Sequence, residues 1–311
     1  MINVENLHVW GSNSLTHQKI PKIIWMYWDP LKKSSLVDIC IEQIKRLHPD
    51  YTINIVNQKS LNSFLPEIPP RNQNLPFANY SDVIRLALLE KYGGIWMDAS
   101  TLATQKLDWV FDLKEQYHTD VIGFYADFIT HNKNFPVLET WFLATPKSNN
   151  FIKTWYHEFI NCYTSDNPKE YYNNLPNNWT EGMDKNLADY LICYLSAIKI
   201  MRTDSNFRIL MFSAKETAHF YNFGLSLKPH QIAEEFILKK EAMSSLPLIK
   251  FERRGREAID DYINKGLLSE KSLLYRLAPR SCKKYINYQY KIKYIQYILS
   301  NLLKKFFKKN A

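Results

Sequence analysis

The stretch Phe77–Thr101, FANYSDVIRLALLEKYGGIWMDAST, decides the reading of this chain. No Gly or Pro interrupts Ala78 to Lys91, and Val83, Ile84, Leu86, Ala87, Leu88 and Leu89 give a wide apolar surface, as expected of a helix packed on a sheet. Asn79 or Ser81 is placed to cap its start, and Gly93-Gly94 supplies the positive φ on which such helices end. Ile95-Trp96-Met97 is too short for another helix and reads as an inner strand, with Asp98 where that strand runs out. Open α/β sheets bind ligands beyond the carboxyl ends of their strands, so Asp98 marks a candidate site, although an acid there also serves as an ordinary turn residue. Asp82 and Arg85, three apart, share one helix face and fit either a solvated rim pair or part of the same site.

Working outward, the chain alternates. Ile20 to Trp28 is β-rich with Pro21 at its entrance; Leu36 to His48 has helical spacing and stops at Pro49; Tyr51 to Val56 alternates as a second strand. Strand, helix, strand, helix, strand is an α/β order. Further on, Leu107 to Leu113 reads as a short helix or turn, Val121 to Tyr125 and Trp141 to Ala144 as strands, and Asn149 to Tyr163 and Leu187 to Ile200 as helices. Residues 1–19 read as a loose polar arm, residues 60–76 as a proline-rich wall, and residues 164–186 as a surface excursion. Asp127 and Glu139, at the edges of strand-like runs, are candidates to face a ligand hydroxyl, against the commoner reading as solvated carboxylates.

The pattern S-D-x-x-R-x-x-x-L-x-x-x-G-G-x-W-x-D-A-S, preceded by Ile20-Pro21-Lys22-Ile23-Ile24-Trp25-Met26-Tyr27-Trp28, resembles the sugar transferases with a DXD motif. It is similar above all to the bacterial capsular polysaccharide synthesis branch, of GT-A type and related to glycosyltransferase family 32. The resemblance implies a Rossmann-type open mixed sheet flanked by helices, and transfer of a sugar from a nucleotide-sugar donor to a growing capsular or other surface polysaccharide with retention of configuration. The acceptor implied is an oligosaccharide or a lipid-linked chain. A protein-modifying glycosyltransferase is the alternative within the enzyme class, and a catalytically silent nucleic-acid or membrane-binding protein the alternative outside it.

The same resemblance assigns roles. Asp82 and Arg85 contact the donor sugar or phosphates; Trp25 lies near the nucleotide base, with a core tryptophan as the other reading; Asp98 and Ser100 stand in the DXD position and imply a divalent metal, Mn²⁺ or Mg²⁺. Because the third position is Ser100 rather than a carboxylate, only one anionic ligand is assured and another Asp, Glu or His is required. Lys250, in the run Leu248-Ile249-Lys250-Phe251, and Arg253 fall where the branch carries a basic segment suited to a nucleoside diphosphate, against a solvated basic turn. The loop His219 to His230 has part of the His…Gly…Lys-Pro phosphate loop of another sugar-transferase family, but its spacing departs and that reading is not adopted.

Composition sets the bounds. The chain has 311 residues, 46% hydrophobic and 14% aromatic, which excludes disorder over most of its length. Cys40, Cys162, Cys193 and Cys282 are scattered without a CxxC pair, as expected of reduced thiols. No secretory signal and no membrane span is read, which places the expected protein in the cytoplasm, peripheral on the inner face of the membrane. Charge is segregated: residues 280–311 hold nine Lys or Arg and no acid, leaving 31 basic against 31 acidic residues in the body. Division is therefore expected into a transferase domain, residues 1–265, and a basic amphipathic helical tail, residues 266–311. In the tail Ile292, Ile295, Leu299, Leu302, Leu303 and Phe306 share a helical face suited to an anionic membrane surface, with an ordinary helix docked on the main domain as the other reading and nucleic acid as the rival partner. A neutral body argues against nucleic acid as partner.

Overall fold

The computed structural model of the chain describes residues 7–12, 18–29, 31–181, 190–240, 246–283 and the positions 292, 295, 296 and 299. The elements in order are β1 (Leu7–Trp10), β2 (Ile23–Tyr27), α1 (Ser35–Leu47), β3 (Thr52–Val56), α2 (Leu61–Phe64), α3 (Phe77–Tyr92), β4 (Gly94–Met97), β5 (Thr101–Ala103), α4 (Trp109–Tyr117) and β6 (Val121–Tyr125). They continue with β7 (Leu138–Thr145), α5 (Asn150–Tyr163), α6 (Ile192–Thr203), β8 (Ile209–Ser213), α7 (Pro229–Ile237), β9 (Leu248–Lys250), α8 (Arg253–Asn264) and α9 (Leu273–Leu277). Seven strands form an open mixed sheet in the order β1-β8-β6-β7-β4-β2-β3, flanked by helices, which is the expected fold class.

Alternation in the central strands builds two cores. Trp25 and Trp96 point to one face, where they pack with Val83, Leu86 and Leu89 of α3 and with Phe151 and Trp155 of α5. Ile24, Met26, Ile95 and Met97 point to the other, against Val37 and Ile44 of α1 and Val110 of α4. Each such side chain contributes about 1.5–3 kcal/mol on burial. A third cluster lies beyond α1, where Leu36, Ile39 and Cys40 meet Leu102 of β5, Ile249 of β9, and α7 and α8. The start of α1 is fixed on this side by Asp260 of α8, which accepts from the Ser34 hydroxyl at 2.6 Å and from the Leu36 backbone N–H at 2.9 Å.

The strand order locates the crevice. Parallel strands β3 and β4 flank β2 on opposite sides, so the chain leaves β2 in one direction and returns in the other. That reversal opens a gap beyond the carboxyl ends of β2 and β4, where α/β sheets take ligands. Strand β7 runs antiparallel to β4, so its first residues come to the same edge. The turn from α3 into β4 is tight: Gly93 has φ 66°, and a Cβ there would lie 2.4 Å from the Lys147 backbone nitrogen.

Several expectations are corrected. Helix α3 starts at Phe77 behind Pro76 without a side-chain cap, so Asn79 and Ser81 lie inside it and cap nothing. The expected loose arm contains β1, which pairs antiparallel with β8; β1 does not stand out in the local pattern, because a strand so short is fixed by its distant partner, whereas β8 is an apolar run of the kind a buried strand shows. Past position 265, Leu267, Leu268, Leu274 and Ala278 are buried in the third cluster beside Leu36 and Ile39. Most of the tail, residues 284–311, lies outside the described residues; of its apolar face, Ile292, Ile295 and Leu299 are described and exposed. Among the described residues no helix is long and apolar enough to cross a membrane, and all four cysteines are free thiols.

Candidate active site

At the crevice between β2 and β4 lies a cleft of about 780 Å³, and the acid closing β4 stands at its floor. Both carboxylate oxygens of Asp98 are engaged. Oδ1 accepts from Arg85 Nη2 at 3.0 Å and from the Trp96 indole at 3.2 Å; Oδ2 accepts from Lys250 Nζ at 2.9 Å. Arg85 also pairs with Asp82 through Nη1 and lies over the Trp96 ring at 4.8 Å. Asp82, Arg85 and Asp98, drawn from one stretch of sequence, thus meet in one cluster, and Lys250 joins it from far along the chain.

Local structure explains the meeting. The i, i+3 spacing sets Asp82 and Arg85 one above the other on α3, with side chains only 7% and 5% exposed. The tight Gly93-Gly94 turn folds β4 back along that helix, which brings Asp98 under the guanidinium. Lys250 is delivered by β9, whose antiparallel pairing with β5 sets it opposite Thr101, three residues past Asp98. Its ammonium also donates to Ser100 Oγ at 3.2 Å, while that hydroxyl donates to the Phe251 carbonyl at 3.1 Å.

Burial alone would raise the Asp98 pKa. The charges of Lys250 and Arg85, with hydrogen bonds from Lys250 and Trp96, outweigh it and hold the carboxyl at about 2. Two acids and two bases make the cluster neutral as a set.

On the β7 side the wall is different in kind. Glu139 accepts from the Tyr194 hydroxyl at 3.0 Å and lies 3.9 Å from His219 Nε2. Burial pushes its carboxyl up to about 8, the nearby Glu252 adds to this, and Tyr194 and Lys250 pull the other way. His219 is pushed down to about 3, by burial first and the charge of Lys250 second, and stays neutral. Phe128 and Phe223 stack at 4.0 Å beside them, and the buried Trp141 indole N–H, on the cleft wall, has no partner. Protonated Glu139, Trp141 and these rings suit a polar, uncharged, ring-shaped group.

The raised Glu139 carboxyl has a consequence for stability. A folded value above the ordinary one means the fold resists ionisation, so the penalty is absent below pH 4.5, grows through the interval to about 8 and is constant above. Glu139→Gln is expected to gain on wild type by about 1.4 kcal/mol per pH unit across that interval. Urea unfolding of both proteins at pH 5 and pH 8 measures it; an unchanged gap would count against a buried, neutral Glu139.

The other predicted residues distribute as follows. Trp25 is a core residue: its ring is buried against Phe64 and Tyr92, and its indole donates to the Gly93 carbonyl at 2.9 Å. It faces α3, while Trp28, just past the end of β2, lines the cleft with Tyr27 and Phe77. Arg253 is on the rim, largely exposed and paired with Glu257 at 2.8 Å; Arg256, one turn of α8 further, lies over the Trp28 ring at 5.1 Å. Glu139 lines the cleft, whereas Asp127 is engaged elsewhere, accepting from the Lys215 backbone N–H at 2.9 Å. His219 is buried against Glu139, and Lys228 stands at the start of α7.

Tyr194 joins the site without a motif in the sequence to mark it, and Trp28, Phe77 and Arg256 lie in or beside runs that the sequence singles out, with no role assigned to them there. For Glu139 a signal exists, since a lone acid inside the apolar run Val137 to Ala144 is a buried acid rather than a strand-edge one.

The expected divalent metal meets a donor set that does not fit. Asp98 and Ser100 offer two oxygens, one of them uncharged, and the space bridging them is taken by the Lys250 ammonium. Among the described residues no group of three His, Cys, Asp or Glu is placed to hold a metal ion; Mg²⁺ taken up with substrate phosphates still wants one or two protein carboxylates, and Asp98 is already shared by Arg85 and Lys250.

The sequence family described as "Capsular polysaccharide synthesis protein" matches residues 5–175. No curated protein matches the chain. Among solved structures, one described as "PaToxG Glycosyltransferase" is 12% identical, with a TM-score of 0.37 over 88% of this chain and 86% of that one, a likeness too distant to argue from.

Proposed function

Because the chain belongs to the family of capsular polysaccharide synthesis proteins and is on that footing a sugar transferase, we propose that it moves a sugar from a nucleoside-diphosphate donor to a glycan acceptor, across the cleft floored by Asp98. The carrying observation is the four-group cluster at the crevice. Asp82 and Asp98 hold two cations, Arg85 and Lys250, fixed and charged beside the place where a pyrophosphate would lie.

The cleft has two chemically distinct ends, and each suits one reactant. Tyr27, Trp28 and Phe77, with Arg256 over Trp28, offer stacking surface for a base at the β2 end. Glu139, Trp141, Phe128 and Phe223 offer hydrogen bonds and ring faces for sugar at the β7 end. As the bond from the anomeric carbon to the phosphate oxygen breaks, its electron pair goes to the phosphate and the acceptor oxygen bonds the carbon. The departing phosphate takes the acceptor's proton, which is the scheme for retention. Glu139, protonated below about pH 8, donates a hydrogen bond and does not act as the base.

The test is donor splitting by the purified protein over a panel of UDP-, GDP- and CMP-sugars, read as nucleotide release. Turnover of a nucleoside-diphosphate sugar is expected, while CMP-sugars, which lack a pyrophosphate, should be inert. No turnover of any of them would remove the reading. With the donor so found, Trp28→Ala should raise KM roughly 5–150-fold, the worth of one base–aromatic stack, with kcat changed far less. An unchanged KM would move the base elsewhere.

A further inference from the structure

We propose that this transferase works without a divalent metal, and that the Lys250 ammonium occupies the metal's place and performs its electrostatic task. The inference rests on the nucleoside-diphosphate reading above and adds to it the identity of the cation. It starts from the disagreement between the Asp98-Ala99-Ser100 stretch and the metal that a motif of that kind implies.

Geometry is the first argument. In such a motif a cation belongs between the carboxylate and the third residue's oxygen, and Lys250 Nζ sits there, 2.9 Å from Asp98 Oδ2 and 3.2 Å from Ser100 Oγ. Its placement is built in. The strand carrying it pairs with β5 over Thr101↔Lys250, Leu102↔Ile249 and Ala103↔Leu248, and the Lys250 backbone N–H is bound by the Ala218 carbonyl at 2.8 Å. Ser100 is closed from the other side, since its hydroxyl donates to the Phe251 carbonyl and the Phe251 N–H donates back to the Ser100 carbonyl at 3.1 Å. The side chain of Lys250 is 10% exposed, so the ammonium has little room to withdraw.

Charge is the second. Asp98 carries the single negative charge at this spot and already serves two cations, with Arg85 at 3.0 Å on its other oxygen. Asp82, the next acid, is turned to Arg85. A divalent ion arriving between Asp98 and Ser100 would meet a carboxylate already shared by two cations and would have to displace Lys250, then leave that ammonium beside a doubly charged metal. A diphosphate finds the reverse situation, with two oriented cations ready. When the anomeric carbon–oxygen bond breaks and the electron pair settles on the phosphate, Lys250 keeps its proton and stabilises that oxygen, as a metal would, without exchange with solution.

The experiment uses the metal-stripped full chain. Binding of UDP, GDP and CDP is measured by titration calorimetry in excess EDTA and in excess Mn²⁺. One of the three should bind with the same affinity in both conditions. Lys250→Met should lower that affinity roughly 10–150-fold, the worth of a hydrogen bond to a charged group, with Mn²⁺ giving no rescue. Lys250→Arg, which keeps the charge on a different fork, should fall between the two. Binding that appears only with Mn²⁺ overturns the inference and leaves the donor reading intact. Binding in neither condition overturns both. The wild-type comparison involves no substitution, so misfolding of a variant cannot decide it.

Discussion

Asp98→Asn is expected to cut turnover by roughly 10²–10³-fold with the fold intact, the scale seen when one preorganised electrostatic group is removed. The reason lies in what the two oxygens of Asp98 do. Each meets a different cation, and an amide supplies one oxygen and one N–H₂ group, so either Arg85 or Lys250 must face a donor. Whichever turns away is lost to the pyrophosphate. The fold should survive, because Arg85 keeps Asp82 and the Asp98 side chain is 29% exposed rather than sealed in. Single-turnover nucleotide release with the donor that wild type splits is the measurement, with the thermal midpoint as the control. Turnover within about tenfold of wild type would mean that the two cations need no shared anchor.

Arg85→Met should do more damage to the protein itself. It strands the Asp82 carboxylate, whose side chain is 7% exposed and whose partner is Arg85. Removing one member of a buried pair costs about 3–5 kcal/mol, because the other stays charged in a poor solvent for charge. Loss of the stack on Trp96 adds to it. Pairing the change with Asp82→Asn separates stability from catalysis. The double variant no longer buries a lone charge and should recover much of the unfolding free energy, while turnover should stay at the floor because the guanidinium is still missing. Recovery of activity alongside stability would make Arg85 a structural residue only.

Much of the site is legible in the sequence itself, and the reasons are local. Asp82, Arg85, the glycine turn and Asp98 lie within seventeen consecutive positions, so helix periodicity and the 93–94 turn place them together without help from distant chain. Trp25 misleads because β2 is buried on both faces. In such a strand the apolar run is continuous, and nothing in it tells a ring packed under α3 from one at the cleft. Only the end of the strand opens to the ligand, which is why Trp28 has the exposure that Trp25 lacks. The strands β1, β5 and β9 escape a sequence reading because each is three or four residues long and is held by a partner far away along the chain. The identity of the cation is hidden for the same reason. Basic surroundings mark Lys250 as phosphate-binding, but not as the occupant of the place beside Ser100, which depends on the register of β9 against β5.

That register has a consequence for the birth of the protein. Asp98 and Lys250 are 152 positions apart, and the tether between them includes the strands that complete the large sheet. Closing so long a span is slow, and it comes after the short-range helices and hairpins have formed. A chain still on the ribosome that has exposed α3 and β4, but not yet β9, holds an acid without its lysine. On the reading proposed above, the site is complete only once β9 has been made and has paired with β5.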